Sequence, residues 1–236
     1  MSGSVRENIQ TIRQRITEAA ARAGRKAEEV KLMAITKTVP DDLIGEAIAA
    51  AVDLIGENYV QEAQRKIEIM GRTLPWHLTG HLQTNKAKYA VNLFEMIHSL
   101  DRLALARELD RRAAAAGLTM AVLIEVNTGG EATKSGIPPG EAIPLIREVA
   151  KLSHLAIRGL MTMPPWFADP QEARPFFRAL RLLRDQVRQE AIPGVEMTEL
   201  SMGMSDDFEV AVEEGATIVR VGRAIFGARK FVRRDA

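Results

Sequence analysis

The chain has no cysteine among its 236 residues, which excludes a disulfide framework, thiolate zinc sites and a cysteine nucleophile and suits a reducing compartment. Neither sign of charge dominates. Lys and Arg total 32 against 31 Asp and Glu, a formal charge of +1, so no basic surplus points to nucleic acid. No apolar run reaches the ~18 residues of a membrane span. The start, Met1-Ser2-Gly3-Ser4 followed by Arg6, Glu7 and Asn8, lacks the apolar core of a signal peptide. These absences place the expectation on a cytoplasmic protein with neither nucleic-acid nor membrane partners. No linker, internal repeat or low-complexity tract breaks the chain, and residues 1–236 read as a single domain.

What is present is a rhythm. Val5, Ile9, Ile12 and Ile16 recur at helical spacing and Gly24 supplies a stop, so the chain opens with an amphipathic helix over about Val5 to Ala23. Strand-like runs then alternate with helical patterns. The predicted strands are the Val30 run ending at Ile35, then Asp53 to Gly56, Trp76 to Thr79, Glu95 to His98, Met120 to Val126, Ala156 to Met161, Glu196 to Leu200 and Thr217 to Val221. Helices are predicted over Asp41 to Val52, Tyr59 to Met70, Thr84 to Val91, Leu103 to Ala116, Ile143 to Leu152, Pro175 to Gln189 and Asp206 to Glu213. Eight strands separated by helices in a chain of this length predict one (β/α)8 barrel with an extra N-terminal helix. The alternative, an open doubly wound sheet, usually carries a glycine-rich turn after its first strand, and Thr36 to Pro40 contains no glycine.

A barrel gathers its functional groups at the C-terminal ends of its strands. Lys37, Glu57, Asn58, His81, Ser99, Asp101, Asn127, Met163, Ser201, Arg220 and Gly222 fall there in sequence. Lys37 has two readings: a solvated loop lysine, or an amine half enclosed by apolar neighbours. In the second, lost hydration lowers the pKa and frees a nucleophile for Schiff-base chemistry. Leu200-Ser201-Met202-Gly203-Met204-Ser205 and Val221-Gly222-Arg223 follow the seventh and eighth strands, where barrels often hold phosphate on backbone N–H groups. Arg220 lies between Val219 and Val221 and is expensive to bury unless something accepts its hydrogen bonds. That acceptor is either Glu199 or Asp206 in an ion pair, or a ligand atom in the barrel mouth.

Six ordered stretches carry a resemblance: Ile35-Thr36-Lys37-Thr38; Gly56-Glu57-Asn58-Tyr59-Val60-Gln61-Glu62; Trp76-His77 with Gly80-His81-Leu82-Gln83; Gly159-Leu160-Met161; Leu200 to Ser205; and Val219-Arg220-Val221-Gly222-Arg223 with Ile225-Phe226-Gly227. Together they resemble the YggS/PROSC family of pyridoxal phosphate homeostasis proteins across nearly the whole chain. That family is known as a single barrel like the N-terminal domain of alanine racemase, binding pyridoxal 5′-phosphate (PLP) without established enzyme activity. The resemblance implies that Lys37 forms the Schiff base with PLP and that Ser201 and the backbone at Gly222 and Arg223 hold the phosphate. It further implies that Arg220 faces the pyridine nitrogen, that Asn58 lies near the ring hydroxyl, and that His81 orients its neighbours. No metal and no catalytic residue is expected.

A PLP protein of this kind need not be an enzyme. An arginine at the pyridine nitrogen disfavours its protonation and so weakens the electron sink. The only tyrosines in the sequence, Tyr59 and Tyr89, fall in helical stretches, and the second base, which in alanine racemase comes from a C-terminal domain, is expected to be missing. The first expectation is therefore a non-catalytic PLP carrier, a monomer that serves PLP-dependent apo-enzymes. Two other readings stand beside it: a PLP-dependent amino-acid racemase, and a barrel enzyme for a phosphate ester with Lys37 as an aldolase-like amine.

Overall fold

A computed structural model describes residues 3–131 and 135–227. Helix α1 (Val5–Arg22) begins with a reciprocal cap, in which the Glu7 N–H donates to the Ser4 hydroxyl and the Ser4 N–H donates to the Glu7 carboxylate. It buries Ile9, Ile12 and Ile16 at helical spacing, each worth about 1.5–3 kcal/mol of apolar burial. Gly24, at φ +66°, ends it. Eight strands follow: β1 (Lys31–Ile35), β2 (Leu54–Glu57), β3 (Trp76–Leu78), β4 (Met96–Leu100), β5 (Met120–Glu125), β6 (Leu155–Met161), β7 (Val195–Ser201) and β8 (Ile218–Val221). All neighbouring pairs are parallel, and β8 pairs back onto β1, Leu32 opposite Val219 and Met33 opposite Arg220, so the sheet closes into a barrel.

The connecting helices are α2 (Asp41–Ala49), α3 (Val60–Met70), α4 (Ala87–Leu93), α5 (Leu103–Ala115), α6 (Ala142–Val149), α7 (Arg174–Gln189) and α8 (Phe208–Glu213), with a short α9 (Arg223–Phe226) after β8. The predicted barrel and its leading helix are both present, with boundaries moved by up to three residues. The stretch predicted to start a helix at Thr84 opens as a 3-10 turn, Thr84–Lys86, and α9 is an addition. Among the described residues no helix is long and apolar enough to cross a membrane.

Strand alternation divides the core in two. One set of side chains, including Leu32, Ala34, Ile55, Val219 and Val221, packs outward against the helices and gives the shell its continuous apolar layer. The other set points into the barrel, where Met33, Leu54 and Ile218 form a small separate cluster against Ile35. Leu123 and Met161, also buried, lie outside the shell layer, and beside these apolar groups the interior holds several polar ones. His77, His98, Glu125, Ser201 and Arg220 are all buried, which is unusual for a barrel filled mainly by branched apolar residues.

Candidate functional site

The polar interior is built as a chain. Arg220 donates from Nη1 to the Ser201 hydroxyl at 2.7 Å and from Nη2 to the Thr162 carbonyl at 2.8 Å. Ser201 Oγ lies 3.0 Å from His98 Nδ1, and His98 Nε2 lies 3.0 Å from His77 Nδ1. Because β4 and β7 are not neighbours in the sheet, the His98–Ser201 contact crosses the barrel interior. Its direction follows from counting donors. Arginine can only donate, and the buried Ser201 hydroxyl has no acceptor for its own proton among the described residues other than His98 Nδ1, so it donates there. His98 then carries its proton on Nε2 and donates to His77. Both rings are neutral in this arrangement. Burial holds His77 down at about 4 and His98 well below its ordinary value, with the neighbouring His77 and Arg220 adding to the depression of His98.

Arg220 is 3% exposed, and burial lowers it to about 10, with Asp207 and Glu125 pulling it back up. It therefore stays cationic at neutral pH. Of the two readings the sequence left open for Arg220, the ion pair does not form: Glu199 Oε1 is taken by Lys31 Nζ at 2.7 Å and Asp206 by Arg223. The guanidinium is instead carried by a neutral hydroxyl and a carbonyl, and its outer face lines a cavity.

That cavity, of about 520 Å³, opens at the C-terminal ends of the strands and is lined by Ile35, Lys37, Asn58, Thr79, Arg220 and Gly222 on the barrel side. Met163, Trp166, Met204, Ser205, Asp206 and Arg223 complete it. Asn58 is steadied on both sides. Its Oδ1 accepts from Thr79 Oγ1 at 3.2 Å and its backbone N–H donates to Glu57 at 3.2 Å. The loop between β7 and α8 can make its turn because Gly203 takes φ +91°, where an added Cβ would come within 2.5 Å of the Ala211 Cβ. Ser205 then reaches the wall, its hydroxyl accepting from the Ala224 N–H at 3.2 Å. The backbone N–H groups of Ser205, Gly222 and Arg223 find no protein partner among the described residues. Three donors and the Arg220 cation around one cavity suit an anionic ligand.

Of the residues singled out in the sequence, Lys37, Asn58, Met163, Arg220, Gly222 and Arg223 converge here, while Glu57, Ser99, Asp101 and Asn127 lie outside the lining. Ser201 and His81 lie outside it too. β7 runs on through Ser201, and its side chain points into the barrel, fully buried between Arg220 and His98 and outside the cavity lining. Ser205 occupies the place in the wall that Ser201 was expected to fill. His81 is exposed, its Nδ1 3.9 Å from Asp101 Oδ2, and it is outside the cavity lining.

Met163 was among the strand-end residues, while Trp166, three positions further along the loop after β6, carried no signal of its own. Trp166 is 71% exposed and donates from Nε1 to Asp206 Oδ2 at 3.1 Å, making an apolar lip over the charged floor.

Comparison with known proteins gives this geometry a context. The alanine racemase N-terminal domain family matches residues 3–230. The pyridoxal phosphate homeostasis protein of Aquifex aeolicus is 46% identical over 226 residues, covering 95% of this chain and 98% of that one. Among solved structures, PipY of Synechococcus elongatus, determined with PLP bound, superposes with a TM-score of 0.83 at 35% identity, covering 95% of this chain and all of that one. An alanine racemase of Clostridium difficile shares the fold, with a TM-score of 0.73 at 15% identity, and this chain spans 58% of its length. With a family match over nearly the whole chain and full-length relatives above 30% identity, the protein belongs to the pyridoxal phosphate homeostasis protein family, within the alanine racemase N-terminal domain fold.

Proposed function

We propose that this barrel, acting as one unit over residues 1–236, binds PLP at its C-terminal mouth and holds it as a Schiff base on Lys37, as a carrier and not a catalyst. The observation that carries the reading is the meeting of Lys37, Arg220 and the Ser205–Gly222–Arg223 wall on one cavity of about 520 Å³, a size suited to a small cofactor. The unpartnered N–H groups of that wall fit a phosphate. An added Cβ at Gly222 would lie 3.3 Å from the Ile35 carbonyl, so glycine keeps the backbone open there. Asn58 is proposed to meet the ring hydroxyl and Arg220 the ring nitrogen, while Ser201 and His81 support from outside the contact surface.

PLP supplies an aldehyde for amines and, in enzymes, an electron sink that deepens when its ring nitrogen is protonated. Arg220 remains charged at neutral pH and has only N–H groups to offer, so it opposes that protonation. Among the described residues the lining offers, besides the Lys37 amine, one carboxylate, Asp206, already held by Arg223 and by Trp166, and so no free second base. Such a site suits storage and release of a reactive aldehyde, with PLP-dependent apo-enzymes as recipients, in a monomer of the reducing cytoplasm.

The test is reduction of the PLP-loaded protein with borohydride and mapping of the adduct. The expected result is a phosphopyridoxyl group on Lys37, lost together with the yellow colour in Lys37→Ala while the fold persists. A main adduct on another lysine would refute the assignment. Racemisation of a free amino acid at about 1 per second or faster, within the enzyme range, would replace the carrier by a racemase.

A further inference from the structure

Lys66 of α3 is fully buried, away from the cavity lining, and its ammonium is spoken for three times. Nζ donates to the Thr36 carbonyl at 2.6 Å, to Glu57 Oε1 at 2.6 Å and to Glu62 Oε1 at 2.7 Å. The acceptors are themselves tied to the neighbours of Lys37. Glu57 Oε1 also accepts from Thr36 Oγ1 at 2.7 Å, and Glu62 Oε1 accepts the Thr38 N–H at 2.6 Å. Glu57 Oε2 takes the Asn58 N–H. Both peptide neighbours of Lys37, and Asn58 across the cavity, thus end on one buried cluster.

Thr38 shows why such a hold is needed. It sits at φ +60°, a left-handed conformation that a β-branched residue avoids unless its surroundings impose it. The Glu62 carboxylate is what meets its N–H there. A buried ion pair seldom stabilises a fold more than apolar side chains of the same size would. Three charged groups at the root of the amine-bearing loop are therefore better explained by geometry than by stability.

We propose that Lys66, acting with Glu57 and Glu62, is a positioning residue for Lys37: from α3 it fixes the carbonyl before and, through Glu62, the amide after the amine-bearing residue, so that Lys37 meets the cavity in one orientation. The inference rests on the reading of Lys37 as the PLP-binding amine.

Glu62 gives the sharpest test, because its side chain is 21% exposed and its removal leaves Lys66 still paired with Glu57. The full chain would be prepared as wild type, Glu62→Leu, Glu62→Gln and Lys66→Met. Two readouts are taken: the rate at which added PLP is trapped by borohydride on Lys37, and, without PLP, the acetylation of Lys37 by acetic anhydride against pH relative to the other lysines.

Glu62→Leu should keep its thermal transition but trap PLP on Lys37 about tenfold more slowly or worse, as expected for a displaced reacting group. Its Lys37 acetylation profile should move while those of the other lysines stay. Glu62→Gln, which keeps an oxygen for the Thr38 N–H, should recover most of the rate. Lys66→Met should change both readouts in the same direction. If that variant fails to fold, the Glu62 pair decides.

Wild-type rate and profile in Glu62→Leu, or a glutamine as defective as the leucine, would overturn the proposal. Absence of any Lys37 adduct in the wild type would instead refute the cofactor reading. The acetylation arm would still decide whether Glu62 and Lys66 orient that amine.

Discussion

Glu125 should behave as a pH-dependent weak point of the barrel. It ends β5 at 2% exposure, and its Oε2 has no hydrogen-bond partner among the described residues. Burial, helped by the negative charge of Asp101 and opposed by Arg220, pushes its carboxyl from 4.5 up to about 7. The folded chain therefore binds this proton more tightly than the unfolded chain does. Between about pH 4.5 and 7 the folded state carries the extra proton, so this group's contribution to stability falls as pH rises through that window.

At about 1.4 kcal/mol per pH unit, the difference amounts to about 3 kcal/mol by pH 8. Glu125→Gln keeps the size and cannot ionise, which removes the slope. Urea unfolding of both proteins without added PLP, at pH 4.5, 6, 7 and 8, reads it directly. The variant should match the wild type near pH 4.5 and exceed it by up to about 3 kcal/mol at pH 8. A difference that does not change with pH, or a variant less stable than wild type at pH 8, would refute the reasoning. Either result would mean that the carboxylate is ionised and adequately paired in the folded barrel.

Two further predictions concern the cavity and the chain beneath it. In nitrogen NMR of labelled protein, His77 and His98 should appear as neutral rings protonated on Nε2, with neither titrating between pH 5 and 8. A ring carrying its proton on Nδ1, or titrating near 6.5, would break the proposed direction of the Arg220–Ser201–His98–His77 chain. At the wall, Gly222→Leu and Ser205→Ala should weaken PLP more than pyridoxal, which has no phosphate, by at least about 1.4 kcal/mol or tenfold for Gly222→Leu. Ser201→Ala, acting through Arg220, should weaken both ligands alike, and a loss confined to PLP would return Ser201 to the phosphate wall.

The sequence was most informative where a local period reports burial. Ile9, Ile12 and Ile16 announce α1 because a helix returns to the same face every three to four residues. The alternation of short apolar runs with helical patterns announces the barrel, because parallel strands covered by helices bury one whole face against them. Lys37 and Gly222 were legible as strand-end residues, since the end of a strand can be read to within a few positions. Ser201 shows where that precision runs out. One more residue of strand turns its side chain from the mouth into the interior, and nothing local distinguishes a strand ending at Leu200 from one ending at Ser201.

By itself, then, the sequence determined the architecture, the family and the rim on which the candidate ligand groups stand, all of which follow from periodicity and ordered motifs. Only the tertiary structure decided what those groups touch. The barrel interior brings His98 of β4 to Ser201 of β7, 103 positions apart, and so supports Arg220 with neutral groups where the sequence had left a carboxylate partner open. It brings Lys66 under the Thr36 carbonyl, 30 positions away, and turns an apparently ordinary helix lysine into part of the root of the amine-bearing loop. The reason is geometric. Closing eight strands makes neighbours of side chains from distant positions, and a buried polar group takes whichever partner the closed barrel presents, because leaving it unpaired costs more than the local sequence could compensate.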